Sequence, residues 1–238
     1  MSEPARFPRV VAACAAGSAS LADVQTLAAG LGVRRVILVE GVSDRAAFEA
    51  LAVRLGRRLE DDGIAVIPMG GAMSIGRFLR VLGPEGLGLQ LSGLCDSREE
   101  SFFRRGLEAA GLGSNLTREG LEALGFAICD ADLEDEMIRA LGTDTVEQVI
   151  SDEGDLAAFG TFQKQPFQRT QPLDRQMHRF FGTIGGRKER YGRALASRLD
   201  PDAIPRPLLL ALEGAPRRHP PSSPNGVPRG RPRDTGNA

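Results

Sequence analysis

Between Val33 and Leu141, four short apolar, β-branched runs alternate with stretches of helical period, and this alternation constrains the fold more than any other feature. Arg35-Val36-Ile37-Leu38-Val39 predicts a buried strand, and Asp44 to Leu55 a helix with Phe48, Leu51 and Leu55 on one face. Ile64-Ala65-Val66-Ile67 predicts a second strand, ended by Met69-Gly70-Gly71. The next helix carries Ile75, Phe78, Leu79 and Leu82 and stops at Gly83-Pro84. Leu89 to Cys95 reads as the third strand, followed by a helix from Glu99 to Ala110 with Phe102, Phe103 and Leu107. Gly125 to Cys129 reads as the fourth strand, and Leu133 to Leu141 as a helix. Strands alternating with helices of this length require crossover connections. The expected class is therefore α/β, a Rossmann-like parallel four-stranded sheet flanked by helices.

A chain of 238 residues accommodates one such domain with additions, and 42% hydrophobic residues suffice for a packed core. The expected organisation is an N-terminal helical segment over 1–32, the α/β core over 33–142, a helical C-terminal extension over 143–213 and a disordered tail over 214–238. The tail holds six prolines and five arginines against one acid, with too little apolar surface to offset its ordering entropy. Its charge is +4, which leaves −5 for residues 1–213, so the overall −1 does not count against a nucleic-acid partner. Gln163 to Gln176, rich in Gln, Arg and Pro, reads as an exposed excursion. The three cysteines and two histidines build neither a zinc spacing nor a disulfide framework, so any metal must be held by carboxylates. Free thiols and the lack of a long apolar run predict a cytoplasmic protein with no membrane span. Nothing in the pattern specifies an oligomeric state.

In a parallel sheet all strands end on one edge, and ligands bind in the crevice there. Acids follow three of the four strands: Glu40 with Asp44 after the first, Asp96 with Glu99 and Glu100 after the third, and Asp130, Asp132 and Glu134 after the fourth. Carboxylates brought close together repel unless they are protonated or neutralised by a cation. Hard oxygen ligands suit Mg²⁺ or Mn²⁺. Helix capping accounts equally for Asp44, Glu99, Asp132 and Asp96, so the pattern alone leaves both readings open. It does not reach Glu40, which ends an apolar strand before a glycine.

Val36-Ile37-Leu38-Val39-Glu40-Gly41-Val42-Ser43-Asp44 resembles the first motif of TOPRIM domains, in the form found in the nuclease domain of the OLD (overcoming lysogenization defect) family. Asp96 matches the second motif in position. Ala131-Asp132-Leu133-Glu134 resembles a later acidic stretch, and Gly186-Arg187-Lys188-Glu189-Arg190 the late lysine-bearing helix. The resemblance implies a TOPRIM fold and a Mg²⁺- or Mn²⁺-dependent DNA endonuclease. Glu40, Asp44 and Asp96 would hold one metal and Asp132 and Glu134 a second, with Glu40 and Lys188 catalytic. Lys188 would stabilise charge on the scissile phosphate. It is one of only two lysines, beside Lys164, among twenty-eight arginines. Arg77, Arg104 and Arg187 are the expected contacts to nucleic acid.

The sequence departs from the family in two ways. Where the second motif usually reads Asp-x-Asp, this chain has Asp96-Ser97-Arg98, with Ser97, Glu99 or Glu100 as substitutes for the missing acid. No Gly-Lys-Ser/Thr phosphate loop occurs, so the expectation is a stand-alone TOPRIM unit whose ATPase, if any, is a separate partner. The alternative expectation is a catalytically degenerate module that binds nucleic acid or nucleotide and regulates that ATPase. A weaker rival is a nucleotidyl transferase or small phosphohydrolase using the same metals. Tyr191, the only tyrosine, lies on an apolar helix face and is not a topoisomerase nucleophile. Met69-Gly70-Gly71-Ala72 is either a phosphate cradle or a turn needing positive φ, and isolated His178 reads as structural.

Overall fold

The computed structural model describes residues 3–215, so nearly all of the expected tail lies outside the described residues. Along the chain come α1 (Glu3–Ala15), α2 (Leu21–Gly30), β1 (Arg35–Val39), α3 (Val42–Arg54), β2 (Ile64–Pro68) and α4 (Ile75–Leu82). Next are β3 (Gln90–Asp96), α5 (Glu100–Ala109), α6 (Arg118–Ala123), β4 (Phe126–Cys129) and α7 (Leu133–Asp152). The last four are α8 (Leu156–Gln163), α9 (Leu173–Phe181), α10 (Arg187–Ala196) and α11 (Arg206–Glu213). Gly142, at φ 74° and ψ 156°, breaks α7 where the expected helix stops.

The four strands form a wholly parallel sheet in the order β2-β1-β3-β4. Strand periodicity sends alternate side chains into two cores. Val36 and Leu38 face one, with α1, α2, α4, α5 and α6; Ile37 and Val39 face the other, with α3 and α7 to α11. From β1 the chain steps outward to β2, then reverses past β1 to reach β3. A right-handed crossover that reverses direction must change faces. Accordingly, α3 lies on one face of the sheet and α4 and α5 on the other. The reversal opens a crevice between the carboxyl ends of β1 and β3, where ligands bind in folds of this kind.

The helices after β4 share a continuous core with the sheet. Phe159, Phe180, Phe181, Tyr191 and Leu208 pack with Ile37, Phe48 and Leu94. The Phe181 and Tyr191 rings stack 4.3 Å apart, and α11 is tied to β3 by a hydrogen bond of 2.8 Å from Ser92 Oγ to the Ala211 carbonyl. The Gln-rich segment is mostly exposed, as its composition suggests, but two of its glutamines turn inward. Gln168 and Gln176 are buried, and Gln176 Nε2 donates to the carbonyls of Gln168 and Gln171 at 3.0 and 2.8 Å. The buried Gln176 amide is tolerated because its neighbours satisfy it, Oε1 accepting from Gln163 Nε2 at 2.9 Å.

Gly93 in β3 marks a close approach. A Cβ there would stand 2.7 Å from the Leu38 carbonyl oxygen and 2.9 Å from the Phe126 ring. Gly93→Ala is therefore expected to lower stability by about 1–3 kcal/mol, measurable as an earlier urea midpoint with an unchanged slope.

Candidate metal centre

Glu40 emerges from β1 beside the crevice, and the turn after β2 fixes its main chain. The N–H groups of Gly70 and Gly71 donate to the Glu40 carbonyl at 2.9 and 3.2 Å. These glycines adopt φ of 70° and 116°, which side-chain-bearing residues rarely do. Their N–H groups hold the protein's own backbone, so the turn is not a phosphate cradle. Asp44 sits in the first turn of α3, with Oδ2 accepting from Gly41 N–H at 2.8 Å and Ser43 Oγ 3.5 Å from Oδ1. Burial pushes its carboxyl up, opposed by the Gly41 N–H and Lys188. Its carboxylate thus braces the turn that presents Glu40.

Asp96 ends β3 and Glu99 closes the short 3-10 turn Ser97–Glu99. Glu40, Asp96 and Glu99 each offer a carboxylate oxygen, all within 4.8 Å of one another. Of the three candidate substitutes near Arg98, Glu99 is the one whose carboxylate joins Glu40 and Asp96, whereas Glu100 pairs with Arg104 and, at 3.4 Å, with Arg118. Ser97 Oγ donates instead to the Asp130 carbonyl at 2.8 Å. Burial, with Asp132 and Glu40 nearby, pushes Asp96 up to about 7. Burial and contact with the Glu40 carboxylate do the same for Glu99, also to about 7.

A second group lies beside the first. Asp132 caps α7, its Oδ1 accepting from Asp135 N–H at 2.9 Å, while Oδ2 stands 2.6 Å from Nε2 of His178 on α9. Glu134, in the first turn of α7, is 1% exposed, and its Oε2 is 3.2 Å from Lys188 Nζ on α10. Burial pushes Glu134 up to about 7 despite Lys188. Burial also pushes Asp132 up, but His178, the Asp135 N–H and Lys188 outweigh it and hold the group below its ordinary value. His178 is raised by its contact with Asp132. Lys188 loses solvation but is raised on balance by Glu134, Asp44 and Asp132, so it remains an ammonium. Asp132, Glu134 and His178 also offer ligand atoms within 4.8 Å of one another. Both groups have the composition and spacing to hold a divalent cation.

The three arginines differ. Arg77 is exposed on α4, with Nη2 donating to Ser74 Oγ at 2.9 Å. Arg104 is tied to Glu100 one turn back on α5. Arg187 is not a nucleic-acid contact, because it is buried with its guanidinium turned inward. It stacks 4.1 Å over Phe180, donates to Thr183 Oγ1 at 2.7 Å and pairs with Asp155 at 3.4 Å. A planar guanidinium stacks on an aromatic face at less desolvation cost than an ammonium, which suits it to this core position.

The crowded carboxyls make metal-free stability depend on pH. For Asp96, Glu99 and Glu134 the folded-state values, about 7, lie above the ordinary 3.8 for Asp and 4.5 for Glu. The folded state therefore binds more protons than the unfolded state between these limits, and stability falls as pH rises through that window. In a chelator, Tm is expected to drop from pH 5 to pH 8. Millimolar Mn²⁺ should recover most at pH 8, where the acids are ionised. A flat chelator profile would contradict the crowding.

Residues 33–97 match the family model for the overcoming lysogenization defect protein-like TOPRIM domain. The C-terminal region of the Burkholderia pseudomallei OLD protein superposes with a TM-score of 0.59 at 25% identity, covering 76% of this chain and 96% of that one. The C-terminal region of the Xanthomonas campestris pv. campestris OLD protein gives 0.58 at 27% identity, covering 76% and 93%. Curated protein sequences gave no match. Among the described residues, no helix is long and apolar enough to cross a membrane. The chain thus carries an OLD-like TOPRIM domain over residues 33–97, within the fold of the C-terminal region of OLD proteins.

Proposed function

We propose that this chain is a divalent-metal-dependent phosphodiesterase acting on nucleic acid, an OLD-like TOPRIM DNA endonuclease. One observation carries the reading: Glu40, Asp96 and Glu99 converge at the crevice between β1 and β3, with Glu134 and Lys188 paired at its side. The donor set suits Mg²⁺ or Mn²⁺. Glu99 Oε2 and Glu134 Oε1 are buried with no hydrogen-bond partner among the described residues. Carboxylate oxygens left without donors in a crowded anionic pocket are matched by a hard cation. Glu40, Asp96 and Glu99 would hold one cation, and Asp132 and Glu134 another.

When bound, such cations lower the pKa of a water and neutralise charge on a phosphodiester. The protein's own groups supply the rest. Asp44 keeps the turn carrying Glu40 in place through Gly41 N–H. Lys188, held as an ammonium by Glu134, Asp44 and Asp132, offers a fixed positive charge to a phosphate oxygen at the crevice. Arg77, on the helix that follows β2, is available to the phosphate backbone, and Arg104, on the helix that follows β3, would reach it by exchanging Glu100 for a phosphate oxygen; both would fix register rather than sequence. The acidic body repels a polyanion except where these cations meet it, so binding should weaken steeply with salt.

Nicking of supercoiled plasmid in Mn²⁺ tests the reading. Wild type is expected to nick and to stop in chelator, and Lys188→Ala to slow cleavage about 10²–10³-fold, as for loss of one oxyanion-stabilising donor. A chain that retards DNA yet cleaves none in any divalent metal would instead be a non-catalytic module, its Arg98 marking the loss. Such a module would act by regulating a separate ATPase partner.

A further inference from the structure

The second group differs in kind from the first. Asp132 and Glu134 come from the start of α7 and His178 from α9, and their ligand atoms lie within 4.8 Å of one another. Glu134 is 1% exposed, with Oε1 buried and lacking a hydrogen-bond partner among the described residues, while Lys188 meets Oε2. A buried carboxylate oxygen with no donor loses its hydration without recompense, and a positive centre on its open side would supply it. Asp132 spends Oδ1 on the cap and turns Oδ2 to His178 Nε2 at 2.6 Å. Atoms bonded to one ion at roughly 2.0–2.2 Å stand about 3 Å apart when adjacent. In the metal-free protein the aspartate oxygen and imidazole nitrogen share a hydrogen bond of 2.6 Å, and a cation bonded to both would displace its proton to solvent with only a small separation of the two atoms. Glu40, Asp96 and Glu99 offer only oxygen, which suits Mg²⁺ and Mn²⁺ alike, whereas an imidazole nitrogen favours first-row transition ions over Mg²⁺.

Resting on the metal-dependent reading above, we infer that the two groups hold unlike cations and that His178 is a direct nitrogen ligand of the second. The first group accepts Mg²⁺ or Mn²⁺. The second, built from Asp132, Glu134 and His178, selects Mn²⁺ or another first-row transition ion. The chain has only two histidines, His178 and His219, so a nitrogen signal from a bound ion has few sources.

Pulsed electron paramagnetic resonance of Mn²⁺ on the untagged full chain reads this directly, because an imidazole nitrogen bonded to Mn²⁺ modulates the echo. The expected result is histidine-nitrogen modulation in wild type and in His219→Ala, altered by ¹⁵N-histidine labelling and lost in His178→Ala. Calorimetry should show the affinity of one Mn²⁺ site in His178→Ala falling by about 10–100-fold or more, the range typical even for residues supporting a ligand. Mg²⁺ binding by the other group should not change. Metal-free thermal unfolding checks that the variant folds, and the labelled wild type carries the test even if it does not. Mn²⁺ bound without directly bonded histidine nitrogen, or modulation persisting in His178→Ala, would overturn the assignment while leaving the metal-dependent reading intact. A chain that binds no Mn²⁺ at all would overturn both.

Discussion

Glu40→Gln is expected to abolish cleavage, by about 10³-fold or more, while making the metal-free protein more stable. The two effects have one cause. Glu40, Asp96 and Glu99 are held within 4.8 Å by a rigid sheet edge, so their charges oppose one another whenever no cation is present. Removing one charge at constant shape relieves that repulsion and lets Asp96 and Glu99 titrate nearer their ordinary values. The same change removes a ligand from the first group. Loss of several kcal/mol of charge stabilisation corresponds to about 10³-fold in rate. Plasmid nicking and thermal unfolding in chelator measure the two sides. Loss of activity with loss of stability would place Glu40 in the scaffold rather than the site.

Gly192→Leu is expected to damage stability and activity together, although residue 192 has no chemistry. Helix α10 crosses α3 closely enough that a Cβ at Gly192 would stand 2.8 Å from the Ser43 carbonyl oxygen. That oxygen belongs to helix backbone and cannot rotate away, so α10 must lift. Overpacking of this kind typically costs about 1–3 kcal/mol. It also displaces Lys188, on α10, from Glu134, and disturbs Ser43 and Asp44 on α3. Activity is expected to fall about 10²-fold or more even at temperatures where the variant is fully folded, since a misplacement near 1 Å costs that much. Circular dichroism melts beside single-turnover cleavage separate the effects. A destabilised variant with wild-type cleavage would show that the seat of α10 on α3 does not position the lysine.

How far the site was legible from sequence follows from which contacts are local. Glu40, Asp96, Asp132 and Glu134 each stand at or just beyond a strand end, and a parallel sheet gathers such positions along one edge whatever else the fold does. From sequence Asp44 reads both as a ligand and as a cap; the structure gives it the capping bond to Gly41 and places it among the charges felt by Lys188 and Glu134. Glu99 was only one of three substitutes for the acid missing at Arg98, because which side chain of a 3-10 turn faces the crevice depends on that turn's geometry. The glycines after β2 fit two readings by residue type, and only the fold puts their N–H groups on the Glu40 carbonyl.

By itself the sequence determined the alternation of strands and helices, the parallel sheet and the acids at its edge. Periods of two and 3.6 residues and strand-end positions are local properties, legible from neighbours in the chain. Only the tertiary structure decided that His178 meets Asp132 across 46 positions, that Lys188 meets Glu134 and that Arg187 turns inward over Phe180. Those outcomes depend on how α9 and α10 seat on a shared core. The seating is set by volume and close approach at residues such as Gly192, Phe181 and Tyr191, whose types reveal that they are buried but not against what.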